Sequence, residues 1–465
     1  MALVAACRGT ASARMLPACA IRAAGRRQRN LHEAGTFYRA IRAGDAAETG
    51  PWNFFLSSAV LASRNMPSVS PGQRSRALAG ERNRKMARSA HAYVRGNTVQ
   101  FYEWLKGSAR LNLPAGPDVW ICGDCHVGNL GPVASSEGAL AIQIRDFDQT
   151  VIGNPAHDMI RLALSLAMAA RSSDLPGVTT ALMVERMMQG YEAAFAPAAQ
   201  GQTEDREDSM PRTVRRVMRE ASGRSWKHLA DERIEGISPV IPIGKRFWKL
   251  TKAERRDVGE LFSQDDLRVL ATILRSRDDA APVRVLDAAY WRKGCSSLGL
   301  LRVAVLVAID EGKAERHCLM DIKEAVTAAA PRGEQPMPRD NAQRVVAGAS
   351  HLSPFLGGRM LAARLLDKSV FVRELLPQDL KLEIEQLTRD EAVEMAEFLA
   401  RVVGRAHARQ LNAADRKSWC AELRRNRSKS LDAPSWLWNS VVDLVALHEA
   451  AYLQHCRRWA LADAA

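Results

Sequence analysis

The sequence predicts an α+β fold in which long helical stretches surround a short block of antiparallel strands. Three observations carry this. Ala, Leu, Val and Arg are plentiful and aromatics make up 6% of the 465 residues, a composition that leans helical. The apolar period changes after Pro282, where Val283–Trp291, Leu300–Asp310 and Arg316–Ile322 read as three strands joined by tight connections. Met395, Leu399, Val402 and Ala406 then form a one-sided stripe at helical spacing.

Taken in order, residues 1–32 are rich in Ala and Arg, and the first acid is Glu33. This stretch reads as a disordered tail or an upstream mis-start, with an organellar transit peptide as the alternative. Residues 33–115 read as a helical extension with a loop near Ser68–Gly72 and a basic run, Arg74–Arg88. Residues 116–280 form a second region. In it the turn Pro114–Pro117 leads to a short strand, Val119–Ile121. A further strand, Leu140–Arg145, runs into Asp146-Phe147-Asp148, and Asp158 opens a helix, Met159–Ala170, that is apolar on most faces. The charged stretch 203–257 reads as a solvated helical surface with loops, with an anion-binding face as the alternative. Residues 281–376 hold the small sheet, a helix over Asp340–Ser350 and a strand over Ser369–Leu376. Residues 377–465 are helical: Thr388 and Glu391 form a capping box, and Ser435–Ala460 closes the chain.

Composition excludes several classes. With 47% apolar and 25% charged residues the chain is not disordered as a whole. Eight scattered cysteines make no disulfide scaffold and suggest reduced thiols in the cytoplasm. No apolar run approaches the roughly 18–20 residues that span a bilayer, so no integral membrane association is expected. A net charge of +14 favours anionic partners without naming one. Neither zinc-finger spacing nor an RNP-like aromatic motif is present, so nucleic acid is not expected as the partner.

Asp124, Asn129 and Asp146 form the constellation that suggests chemistry. Phosphoryl transfer requires magnesium held against phosphates and an acceptor oriented in line, and magnesium takes oxygen ligands. A turn with Asp and Asn five apart can serve both needs, with a further carboxylate at the end of a nearby strand. The alternative is an ordinary strand-turn-strand whose acids cap backbone groups.

The order Gly-Asp-x-His-x-x-Asn, then Ile-x-Asp-Phe, then Gly-x-Pro-x-x-Asp resembles the aminoglycoside and choline kinase signature of the protein-kinase-like superfamily. More closely, Cys122-Gly123-Asp124-x-His126-x-Gly128-Asn129, with Tyr93-Val94-Arg95-Gly96 upstream and Lys323-Glu324-Ala325 downstream, resembles an uncharacterised bacterial family, domain of unknown function 2252. That similarity runs from roughly residue 70 to the C-terminus. It implies Asp124 as catalytic base or acceptor-orienting residue, His126 at a phosphate-contacting position, and Asn129 with Asp146 as magnesium ligands. Asp148 competes with Asp146, and Asp158 is expected to be structural.

A kinase also requires a glycine-containing hairpin and a strand lysine over the nucleotide. Both lie downstream of Asp124: Gly294-Cys295-Ser296-Ser297-Leu298-Gly299 between two strands, and Lys323 at the end of a third. Gly294, Ser296, Ser297, Gly299 and Lys323 are therefore the expected ATP contacts, with Arg95 as an extra phosphate contact. The expected architecture is a two-lobed, protein-kinase-like α+β fold, circularly permuted, with its catalytic loop ahead of its nucleotide sheet. Three features depart from that pattern. Ser296 replaces a loop glycine, Asn341–Ser350 offers no acid to pair with Lys323, and Cys122 stands where many kinases have His. The expected function is thus a Mg²⁺-dependent ATP phosphotransferase with an unidentified acceptor. An inactive nucleotide binder and a metal-dependent phosphoesterase are the alternatives. The Cys-x-x-Cys-His match to haem attachment lacks an export signal.

Overall fold

The computed structural model describes residues 69–107, 112–196, 209–312, 315–382, 387–425 and 433–459. The description covers the unit Pro67–Ala465. The expected tail at 1–32, and the helical extension as far as residue 68, lie outside the described residues. This unit is a mixed α/β structure with several antiparallel sheets, and about half of its described residues are helical. Among the described residues no helix is long and apolar enough to cross a membrane.

Three helices open it: α1 (Arg74–Met86), α2 (Ala90–Gly96) and α3 (Thr98–Lys106). Strand β1 (Val119–Ile121) pairs antiparallel with β4 (Val151–Gly153), and between them β2 (Leu130–Ala134) and β3 (Leu140–Ile144) form a hairpin. Helix α4 (Ala156–Ser172) follows and is buried along nearly its whole length, as its apolar faces require. Helix α5 (Gly177–Ala193) packs along the later α12 (Arg389–Ala408). Thr388 and Glu391 form the capping box of α12, each side chain bonding the other's backbone N–H. With α13 (Ala413–Arg424) and α14 (Ser435–Trp459), these helices enclose the larger apolar core.

The second architectural element is one antiparallel sheet of six strands in the order β5-β6-β7-β8-β10-β9. The strands are β5 (Phe247–Lys249), β6 (Val283–Trp291), β7 (Arg302–Asp310), β8 (Glu315–Glu324), β9 (Met360–Leu365) and β10 (Lys368–Leu375). The sequence suggested only three contiguous strands and the one over 369–376, so β5 and β9 are additions. Helices α6 (Arg212–Ser222) and α7 (Trp226–Ile234) lie ahead of β5, and α8 (Lys252–Phe262) and α9 (Asp265–Thr272) follow it. Alternation divides the strands cleanly. Val303, Val305 and Val307 of β7, with Met320 and Ile322 of β8, face an outer core shared with α8 and α9. Ala304, Leu306 and Leu319 face inward against Leu229, Ala230 and Ile234 of α7. Between β8 and β9 run α10 (Asn341–Leu352) and the short α11 (Pro354–Gly357). Asp340 caps α10 by accepting from the Ala342 and Gln343 N–H groups.

Candidate active site

The turn after β1 is held from below. Asp158, fully buried in the first turn of α4, accepts from the backbone N–H of Cys122 (2.7 Å) and Gly123 (2.9 Å). His407 Nε2 lies 3.1 Å from the same carboxylate, Tyr191 Oη lies 2.9 Å from His407 Nδ1, and Trp419 Nε1 donates to Tyr191 Oη at 3.3 Å. One assignment satisfies this chain: indole N–H to tyrosine oxygen, tyrosine O–H to imidazole, and imidazole N–H to carboxylate. Gly123 is obligatory here. Its φ is +74°, and a Cβ would stand 2.1 Å from the Gln149 carbonyl. Tyr102 Oη donates to the Gly123 carbonyl at 2.6 Å.

So anchored, the turn presents three polar side chains. Asp124 pairs through one oxygen with the buried Arg161 of α4, whose guanidinium lies 5.2 Å from the Phe101 ring. Its second oxygen has no protein partner among the described residues. Asn129 donates to the Asp124 carbonyl at 2.8 Å, fixing the two residues relative to each other. His126 is buried with Nδ1 unpartnered, and burial followed by the charges of Arg95 and Arg161 drives its pKa well down, so the imidazole is neutral. Arg95 packs on Gly128, where a Cβ would come within 2.8 Å of the guanidinium carbon, and it has no ion-pair partner among the described residues.

Asp146 and Asp148 follow β3 and meet Lys323 at the end of β8. The Lys323 ammonium is 3.3 Å from Asp146 Oδ1 and also contacts Asp148 Oδ2. Burial pushes the Asp146 carboxyl up, but Lys323, Arg373 and Arg302 outweigh it and hold the group well below the usual carboxylate range. Its carboxylate remains 47% exposed to the cleft. Asp148 is displaced the other way: burial first, then the neighbouring Asp146 charge, raise it to about 6. Burial opposes the charge on Lys323, yet the two carboxylates raise its pKa. One ammonium thus serves two carboxylates, and Asp148 Oδ1 is buried with no partner. Asn129, Asp146 and Asp148 offer hard oxygen donors of the kind magnesium takes, and an ion that brings phosphate oxygens of its own suits so small a protein ligand set.

These residues line one cleft of about 440 Å³ between the sheet and the turn. It brings together Asp124, His126, Asn129, Asp146, Asp148, Arg95, Lys323, Gly294, Ser296 and Ser297. Gly299, also expected there, is not among the lining residues. Its φ is +104°, and a Cβ would lie 3.1 Å from Ser75 Cα of α1, so close helix packing accounts for this glycine. The lining carries ten Lys and Arg side chains against four Asp, an imbalance that attracts anions.

Sequence reasoning passed over several residues. Arg344 of α10, buried, donates to the carbonyls of Asp148 (3.0 Å) and Val326 (2.8 Å) and to that of Thr150, so an arginine secures the Asp148 loop from a helix that offers no acid. Arg161, Arg302, Asp321 and Arg373 were also passed over. For Arg161, Arg302 and Arg373 the signal was available as a charged residue at an inward position of a mostly apolar element.

Compared with known proteins, residues 74–458 match the model of a bacterial family described as an uncharacterized protein conserved in bacteria. No curated protein and no solved structure matches the chain.

Proposed function

The chain belongs to the domain of unknown function 2252 family, and from its cleft we propose that it is a magnesium-dependent phosphotransferase using ATP, on a two-lobed, kinase-like and circularly permuted fold. One observation carries the reading. Asp124, Asn129, Asp146, Asp148 and Lys323, spread over 200 positions of sequence, share one cleft with the hairpin Gly294–Ser297. Protein kinases likewise set their lysine on the third strand of a sheet opened by a glycine-rich hairpin, facing a catalytic Asp, an Asn and a metal Asp. The permutation is supported by Gln410, just past α12, which accepts from the Trp120 N–H at 2.8 Å and donates to the Trp120 carbonyl at 3.0 Å. The end of α12 therefore abuts the strand that enters the catalytic turn, although the two are far apart in sequence.

Each residue then has a role. Asp124 uses its free carboxylate oxygen to orient an acceptor hydroxyl and receive its proton, while Arg161 fixes the other oxygen. Asn129, Asp146 and Asp148 would hold the magnesium. Bound with ATP, that ion would offset negative charge on the phosphates during transfer. Lys323 and the backbone of the hairpin face the phosphate chain. Neutral His126 can donate a hydrogen bond without adding charge. The Arg161 contact occupies one Asp124 oxygen and favours a second reading, a nucleotide binder without turnover.

Thermal unfolding with and without ATP and magnesium, beside Asp146→Ala, tests the proposal. A ligand at about 100 times its Kd stabilises the native state by about 2.7 kcal/mol, so a magnesium-dependent rise in Tm is expected, absent in the variant. Well-folded wild type that shows no rise at millimolar ATP would refute it.

A further inference from the structure

Beyond the metal carboxylates, the inner face of the sheet carries charge where an ordinary sheet face is apolar. The strand register sets Arg302 opposite Lys323 and Asp321 opposite Arg373, so one continuous polar patch crosses β7, β8 and β10. Asp321 is fully buried and accepts from Arg302 through Nε (2.8 Å) and Nη2 (2.6 Å). Arg373 Nε stands 3.8 Å from the same carboxylate. Lys293, from the β6–β7 hairpin, sets its ammonium 4.1 Å above the Trp291 ring, and the Arg302 guanidinium lies 5.0 Å from that ring. Arg233 enters from the last turn of α7 and lines the same cleft.

Four cations therefore surround one carboxylate, and Arg302 takes up that carboxylate through two hydrogen bonds. Among the described residues Arg233 and Lys293 have no ion-pair partner, and the Nε atoms of Arg233 and Arg373 are buried without hydrogen bonds. Burial, then the charges of Arg302 and Arg233, hold the Lys293 pKa well below its ordinary value. Positive charge gathered in a recess with too few counterions is unfavourable, and a bound anion relieves it. Guanidinium forks suit phosphate oxygens, and two unpaired cations beside two arginines that share one carboxylate match a multiply charged group better than a single carboxylate.

We propose that this inner face is a second anion site, holding a phosphate group among Lys293, Arg233, Arg302 and Arg373. The group comes either from the phosphate chain of the nucleotide itself or from a phosphate carried by the acceptor. The charge pattern argues against a cationic acceptor of the aminoglycoside or choline kind.

The probe is tripolyphosphate, titrated calorimetrically into the 465-residue chain without magnesium. Binding is expected in wild type and in Asp146→Ala, weakened about tenfold or more in Lys293→Met and in Arg233→Met. Equal binding in wild type and both cation variants, or none in wild type at millimolar concentration, overturns the site. Competition with ATP assigns the pocket to the nucleotide's own phosphates, whereas simultaneous binding assigns it to the acceptor's. This last arm alone rests on the phosphotransferase reading. If ATP fails to bind while tripolyphosphate binds with the same dependence on Lys293, that reading falls and the site stands.

Discussion

Lys323→Met removes the ammonium that Asp146 and Asp148 share. Breaking a buried ion pair commonly destabilises by about 3–5 kcal/mol, because one charge is left uncompensated. Here the pair has a cheaper response. Asp148 already sits at about 6, held down in part by Lys323, so losing the lysine lifts it further. A carboxyl one unit below the solution pH takes a proton for about 1.4 kcal/mol, so the loss at pH 7 is expected at about 1–2 kcal/mol. The sign follows from linkage. A carboxyl with a raised folded pKa stabilises the native state below its unfolded pKa, about 3.9, and that contribution is lost as pH climbs through the folded value. The deficit of the variant relative to wild type should therefore widen steadily from pH 5 toward pH 8. Urea unfolding of both proteins at four pH values between those limits measures it. Magnesium chloride without nucleotide should narrow the deficit at pH 8, since a divalent ion can stand where the ammonium stood. A loss of about 3 kcal/mol or more that is flat with pH and indifferent to magnesium would show that the two carboxylates do not share one cation site.

The other expectations concern the anchor and the proton. Asp158→Asn keeps one acceptor but turns an amide N–H₂ toward a donor, in a site where two backbone N–H groups and His407 converge. A loss of about 3 kcal/mol in urea unfolding is expected, and a loss below about 1 kcal/mol would mean that the turn is held elsewhere. Protonation of Asp148 competes with metal, so magnesium-dependent ATP affinity should fall as pH drops below about 6, by up to about tenfold per unit. Calorimetry at pH 5.5 and 7.5 would read this, and Asp148→Asn should bind more weakly at pH 7.5 with a flatter profile. An unchanged profile in that variant would assign the proton to another group.

What the sequence disclosed, and what it withheld, follows from how local each signal is. The turn around Asp124 was legible because its demands are local: a glycine at positive φ, then an Asp and an Asn five apart. Helix α12 announced itself through a capping box and a stripe, both contained within a few turns. Strand β9 did not. Met360–Leu365 is a run of helix formers, and the turn joining it to β10 sets Leu366 and Asp367 at φ of 53° and 59°, positions normally marked by Asn or Gly. Pairing with β10 overrides local preference there, and no window of sequence records that pairing. Strand β2 was hidden similarly, since Gly131 and Pro132 are poor strand formers, although Pro is tolerated where the strand lies at an edge.

The charged residues of the sheet's inner face form an intermediate case. Arg302, Asp321, Lys323 and Arg373 each occupy an inward position, Arg302 and Arg373 on strands whose other inward residues are mostly apolar. Each alone looks like a strand end or a tolerated surface charge, and Lys323 drew notice only through its motif. Once register sets Arg302 beside Lys323 and Asp321 beside Arg373, the four make a single polar surface facing Asp146 and Asp148. Burying so many charges opposes folding unless they are paired or await a ligand. Asp321 answers for Arg302 and lies 3.8 Å from Arg373, and Asp146 with Asp148 answer for Lys323, but Lys293 and Arg233 have no ion-pair partner among the described residues. That residue of unmatched charge, more than any single motif, is the physical reason to expect a phosphate-bearing ligand in this cleft.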